Sequence, residues 1–277
     1  MPKIQEQYPI PEQLVVANPT NLQIKLADFA IGGATDLHLV LDFDRTLTIR
    51  KPGSRDEVTT WHILQEHLPV DAKRAYQDEF TKYRALELEG RMTQEDAINW
   101  WTSILNLFVE NKIDLNAVEE DFLSKASIRD GVPELMKLCQ QNNIPTIILS
   151  AGVRDIIEIW CRKYGIQPTL VISTALITDS NNRIAGWKED TLVHTLNKSE
   201  ASHPELISIR SARPNALLVG DGVDDAAMAD GEDNVVRLRL LDPRDDEETT
   251  EPVFGRFDGL ITSGNFKPIE ELLQTII

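Results

Sequence analysis

The chain has 277 residues, 42% of them hydrophobic, and a formal charge of -17 from 28 Lys and Arg against 45 Asp and Glu. That size and apolar fraction allow a buried core, either one large domain carrying an insertion or two modest ones. The charge disfavours nucleic acid polymers and anionic membranes as partners, whereas a small phosphate ester stays admissible because a metal ion and one or two cations reverse the potential inside a cleft.

In chain order, the N-terminal segment to Asn21 mixes charged, polar and proline residues without the apolar core of a secretion signal, and no later run approaches membrane-spanning length. Cys139 and Cys161 form no CxxC pair and no disulfide framework, so a soluble protein of the reducing cytoplasm is expected. Residues 1–36 read as an extended or frayed arm leading into the apolar run Leu37 to Phe43, a buried strand. From about Arg55 to Lys125 helical patterns take over. Ala72, Ala75, Tyr76, Phe80, Tyr83 and Leu86 make one stripe. Thr93 and Asp96 form a capping box ahead of a second, Ala97, Ile98, Trp101, Ile104, Leu105 and Phe108. The two stripes must bury against something, which makes 55–125 a helical subdomain inserted into a core of 1–54 and 126–277.

Strands and helices alternate beyond it. A helix opens at Gly131 and Pro133 and buries Val132, Leu135, Met136 and Cys139; Pro145 to Leu149 is a strand, 154–164 a helix and Thr169 to Ser173 a strand. A hairpin turning at Ser180 to Asn182 follows, then a helix at Ser199 to Arg210, a strand at Ala216 to Val219, a helix at Asp224 to Ala229, strands at Val235 to Leu238 and Gly259 to Ile261, and a last helix from Pro268. Asp242 to Glu251 is acidic and reads as a solvated loop. Apolar strands alternating with helices predict an α/β fold: a Rossmann-like parallel sheet with helices on both faces, and an all-helical insertion between the first and second core strands. Nothing in the pattern specifies an oligomeric state.

Open parallel sheets bind ligands beyond the carboxyl ends of their strands. The first strand ends in Asp42-Phe43-Asp44-Arg45-Thr46, where alternation sends both carboxylates to one side. One can attack phosphorus while the other gives a proton to the leaving oxygen and later takes one from water; alone, the pair is equally a solvated strand end. The second strand ends in Ser150-Ala151-Gly152, small enough to bring backbone N–H groups and a hydroxyl to an anion, or an ordinary helix cap. Later come Gly220-Asp221-Gly222-Val223-Asp224-Asp225, with Asp221 at a strand tip and Asp225 one turn on: hard oxygen ligands suited to Mg²⁺, or an acidic helix start. An aspartate attacks a dianionic phosphate only if charge is offset, and Lys198 and Lys188 are the candidates, the latter beside Trp187 in a surface setting. His62, His67, His194 and His203 lack metal-ligand spacing and read as surface or subdomain histidines.

The order DxDxT, small hydroxyl, lysine, GDxxxD resembles the haloacid dehalogenase superfamily of phosphohydrolases. Within it, Ile147 to Gly152, Val171 to Thr174, Asn197-Lys198 and Asp221 through Met228-Ala229-Asp230-Gly231 are similar to the cytosolic 5'-nucleotidase III, or pyrimidine 5'-nucleotidase, family. The resemblance implies a magnesium-dependent phosphatase with Asp42 as nucleophile, Asp44 as acid and base, and the Ser150, Ala151, Gly152 loop with Lys198 on phosphate. It implies Mg²⁺ on Asp42, Asp221, Asp225 and the backbone carbonyl of Asp44, and residues 55–125 as a cap. Lys82 to Glu87 resembles the stretch carrying a glutamate that faces the nucleoside, implying Glu87 as a substrate contact, and Trp100 is placed like an aromatic on which a base stacks. The implied substrate is a nucleoside 5'-monophosphate. Arg45 and Asp224 depart from the family pattern, and they leave open a phosphoamino acid or sugar phosphate, or a scaffold that only binds phosphate.

Overall fold

In the computed structural model, which describes residues 8–51, 58–242 and 254–277, the N-terminal segment is not an extended arm. Leu14–Val16 forms strand β1 and Pro19–Gly32 forms helix α1. Asn18 caps the helix by accepting the Asn21 N–H, Pro19 sits where its missing N–H costs nothing, and Leu22, Leu26 and Phe29 bury one stripe.

Seven strands make the main sheet, in the order β1, β11 (Gly259–Ile261), β10 (Asn234–Leu240), β9 (Asn215–Gly220), β2 (Leu37–Leu41), β5 (Thr146–Val153) and β6 (Leu170–Thr174). All neighbours run parallel except the edge pair of β1 and β11. Strand β2, buried at every position, lies between β9 and β5, so the carboxyl ends of these three strands converge. The α/β prediction holds, with an antiparallel edge strand that the sequence reading had merged into the arm.

Between β2 and β5 stand β3 (Thr48–Arg50), the helices α2 (Thr60–Glu66), α3 (Val70–Leu88), α4 (Gln94–Glu110) and α5 (Leu115–Lys125), then β4 (Ala126–Ile128) and a fifth helix, α6 (Val132–Gln141), where Gly131 and Pro133 predict it. The capping box at Thr93 and Asp96 forms as expected. Strands β3 and β4 pair antiparallel, a small ribbon at the root of the helices that the short runs did not reveal. The hairpin is present as β7 (Leu176–Thr178) against β8 (Ile184–Trp187), with Asn182 left-handed at φ 56°.

Two predicted helices are replaced by tighter turns. Instead of one helix over 199–210 there are 3₁₀ turns at Glu200–Ser202 and Pro204–Leu206, then a short helix Ile207–Ala212. Pro204 lacks an N–H and holds His203 extended at φ -121°, ψ 98°, which breaks the helix. Residues 223–229 are likewise 3₁₀, started where the Asp225 carboxylate folds back onto the Gly222 N–H. Beyond Asp242, the acidic segment read as a loop lies outside the described residues.

Candidate active site

Asp42 follows β2 directly and its backbone N–H still donates to Val219 of β9 at 3.0 Å. Its side chain is held at both oxygens: the Thr46 hydroxyl donates to Oδ2 at 2.9 Å and Lys198 Nζ to Oδ1 at 2.6 Å. The same ammonium donates to Asp225 Oδ1 at 2.6 Å. Asp42, Asp221 and Asp225 each offer a carboxylate oxygen within 4.8 Å of the others. Burial pushes the Asp42 carboxyl up against the opposing pull of Lys198, with Asp225 adding to the rise. Asp221 is pushed up to about 8 by burial and by the charges of Asp42 and Asp225. Burial works to discharge Lys198, but Asp225 and Asp42 outweigh it and raise the ammonium, which stays charged. Lys188 is exposed. Of the two lysines considered, Lys198 is the one beside the carboxylates.

Asp44 is turned the other way, onto the start of α2. The Thr60 backbone N–H donates to Oδ1 at 3.1 Å and its hydroxyl to Oδ2 at 3.0 Å, while that hydroxyl accepts the Val153 N–H at 3.2 Å. Burial, then the charge of Asp42, push Asp44 up to about 7, with the Thr60 bonds opposing. Ser150, Ala151 and Gly152 do not follow the strand but lie within β5, closing the same corner where the register of β5 against β6 shifts and the chain bulges. A Cβ on Gly152 would lie 2.5 Å from Thr60 Oγ1, 3.0 Å from Ser150 Oγ and 3.1 Å from Asp44 Oδ2, so only glycine lets this bulge approach so closely. The Ala151 carbonyl accepts the Trp61 indole N–H at 2.7 Å and that of Trp101 at 3.4 Å.

These groups floor a cavity of about 680 Å³ whose other walls are α2, α3 and α4. Trp100 and Trp101 line it and meet edge-on at 4.6 Å, and Tyr83, outside the lining, stacks on Trp100 with centroids 5.9 Å apart at 17°. Glu87 lines the cavity and pairs through Oε2 with Arg84, leaving Oε1 buried with no partner among the described residues; the Trp100 N–H is orphaned in the same way. All ten residues singled out from the sequence thus line this one cavity.

Several others at the site were not expected. Thr46 and Thr60 fix the rotamers of Asp42 and Asp44. Arg129, buried, donates to the carbonyls of Thr46 at 2.8 Å and of Arg45, whose own backbone is left-handed at φ 65°. Arg239 donates to the Asp221 carbonyl at 2.8 Å. Thr46 follows Asp42 closely enough for sequence to suggest it, whereas Thr60 stands 16 residues after Asp44, and the arginines sit in other segments with no local signal. His194, read as a surface or subdomain histidine, is buried and packs on Trp101, and burial lowers its pKa, with His203 adding to that.

A parallel α/β sheet with two aspartates after one strand, a lysine between carboxylates and a helical insertion over the cleft defines a phosphohydrolase of the haloacid dehalogenase type. The family profile described as pyrimidine 5'-nucleotidase (UMPH-1) matches residues 46–262, and the chain belongs to that family. It is a phosphoric monoester hydrolase. Similar proteins include the 7-methylguanosine phosphate-specific 5'-nucleotidase A of Xenopus laevis, 29% identical over 255 residues that cover 87% of each chain. The Homo sapiens protein of that name is 24% identical over 248 residues, covering 84% of this chain and 82% of its own. Among solved structures, cytosolic 5'-nucleotidase IIIB bound to cytidine aligns with a TM-score of 0.77 at 22% identity, over 96% of this chain and 94% of that one. A substrate-bound phosphoserine phosphatase shares the fold at a TM-score of 0.55 and 16% identity, over 88% and 99%. No described helix is long and apolar enough to cross a membrane.

Proposed function

We propose that the protein hydrolyses a nucleoside 5'-monophosphate to nucleoside and phosphate through a phosphorylated Asp42. The observation that carries the phosphoryl chemistry is the buried contact of Asp42 with Lys198, which offsets the charge of a carboxylate approaching a dianion. An Asp42 oxygen forms a bond to phosphorus as the ester P–O bond breaks, and the proton on Asp44 passes to the leaving oxygen. Asp44, then ionised, takes a proton from a water whose oxygen attacks the same phosphorus, and the P–O bond to Asp42 breaks. A carboxyl raised to about 7 suits both halves, because acid and base forms coexist near neutral pH.

Three clustered carboxylates, with Asp221 pushed up to about 8, suit a divalent cation of oxygen preference. Mg²⁺ would be held by Asp42, Asp221, Asp225 and the Asp44 carbonyl, and when bound supplies charge neutralisation at the phosphate oxygens. Lys198 and the Ser150, Ala151, Gly152 bulge hold the phosphate. Residues 55–125 serve as a cap domain over the core of 1–54 and 126–277, excluding water from the cleft.

Glu87 Oε1, without a partner among the described residues, lines the same cavity as Trp100 and Trp101, which supports a base as the leaving group's far end. A carboxylate acceptor and aromatic rings in one cavity favour a flat ring with N–H donors, more so if cationic. With relatives named for 7-methylguanosine phosphate, that nucleotide heads the substrate panel, followed by pyrimidine monophosphates, phosphoserine and a sugar phosphate. Phosphate release from a nucleotide, abolished in Asp42→Asn, is the expected outcome. Turnover of phosphoserine or sugar phosphate alone would overturn the nucleotide reading, and turnover of none the enzymatic one.

A further inference from the structure

Lys198 lies in no helix or strand, between the turn at residues 195–197 and the 3₁₀ turn at Glu200–Ser202. Two residues beyond it, Glu200 is completely buried, and so is His38 on β2, four residues ahead of Asp42. The Nε2 of His38 lies 3.0 Å from Glu200 Oε1, and its Nδ1 lies 2.8 Å from the Arg213 carbonyl. A carbonyl has no proton to give, so Nδ1 carries one. The contact between Nε2 and Oε1 needs a second, on one side or the other. With two protons the pair is net neutral; with one it sets a buried carboxylate against an imidazole lone pair. The other Glu200 oxygen has no partner among the described residues, so nothing else relieves that charge. The neighbouring cations are already engaged: Arg210 pairs with Glu232, its Nη1 3.4 Å from the Glu200 backbone carbonyl, and Arg213 donates to the carbonyls of Ala34 and Leu37 at 2.7 and 3.1 Å.

We propose that His38 and Glu200 are positioning residues for Lys198: sharing a proton in a buried, net-neutral pair, they bolt the Lys198 segment to the strand that carries Asp42. This rests on the reading of Lys198 as the charge-offsetting phosphate ligand. The ammonium reaches Asp42 and Asp225 at 2.6 Å only while its backbone is held, and a displacement of about 1 Å at such a site costs on the order of 100-fold in rate.

The test compares Glu200→Ala, Glu200→Gln and Lys198→Met with the parent protein, at a temperature where circular dichroism shows all four folded. The readouts are kcat, KM and inhibition by inorganic phosphate. Glu200→Ala is expected to lose about 10- to 100-fold in kcat/KM and to weaken phosphate inhibition. Glu200→Gln is expected to restore most of both, because its amide N–H donates to the Nε2 of a neutral imidazole. Should Glu200→Ala keep the parent's kcat and phosphate inhibition while melting earlier, the pair is only structural and the proposal falls. Full activity in Lys198→Met would instead overturn the underlying reading of Lys198.

Discussion

The two ends of the cavity differ in how complete they are by themselves. At the core end both Asp42 oxygens have donors, Lys198 bridges two carboxylates, and Thr60 occupies both oxygens of Asp44. At the helical end, Glu87 Oε1 and the Trp100 N–H are buried with no partner among the described residues. Buried polar atoms left unmatched cost stability unless a ligand satisfies them. On the proposed function, the end that reacts is organised before substrate arrives, while the end that would select is completed by it. Binding energy gathered among the aromatic rings can then serve an already ordered phosphoryl site.

Removing the proposed nucleophile should break this division most severely: Asp42→Asn is expected to lower kcat by at least about 10⁴-fold in a phosphate-release assay, in line with the loss of other attacking groups. Lys198→Met takes away the charge offset and should cost about 10²- to 10³-fold in kcat, with every substrate affected alike.

Stability gives an intermediate effect with a definite sign. Asp44 is raised from 3.8 to about 7 and Asp221 from 3.8 to about 8, so between those values the folded protein binds protons that the unfolded chain does not. Metal-free protein should accordingly lose stability as pH rises from about 4 to about 8. In a thermal melt at pH 8, Mg²⁺ should raise Tm by a few degrees or more. It should do little in Asp221→Asn. A melting temperature that climbs with pH in metal-free buffer would contradict the crowded-carboxylate account.

The smallest effects belong to the helical end. Glu87→Gln and Trp100→Ala are each expected to raise KM for the preferred nucleotide about 10-fold or more, with much less change toward a small aryl phosphate lacking a nucleoside. Equal losses on both substrates would show that these residues support the site rather than select the base.

Much of the core end was legible because Asp42, Ser150 and Asp221 come at or next to the ends of apolar runs in fixed order, whereas Lys198 follows no strand and was found as one of two lysines able to offset the charge. The N-terminal helix was also within reach, since Asn18, Pro19 and the Leu22, Leu26, Phe29 spacing announce it; proline and polar residues earlier in the segment obscured the signal. Pro204 likewise marked the break in the predicted 199–210 helix. What sequence could not supply was contact between distant segments. Arg129 reaches the loop after β2 from 83 residues away, and His38 and Glu200 stand 162 residues apart. A buried histidine on a strand reads as any polar residue until its partner is seen. Thr60 falls between: its place as the first residue of α2, after the Thr59 cap, is local, but its hold on Asp44 follows from the packing of α2 against β5.

The central claim is that Asp42 becomes phosphorylated. Borohydride reduction of protein quenched during turnover of its nucleotide substrate, followed by peptide mass spectrometry, tests this directly, since an aspartyl phosphate is reduced to homoserine whereas a free carboxylate is not. Homoserine at position 42, appearing only when substrate is present, is the predicted result. An unmodified Asp42 during sustained turnover, with reduction found at another carboxylate or Asp42→Asn still active, would contradict the account.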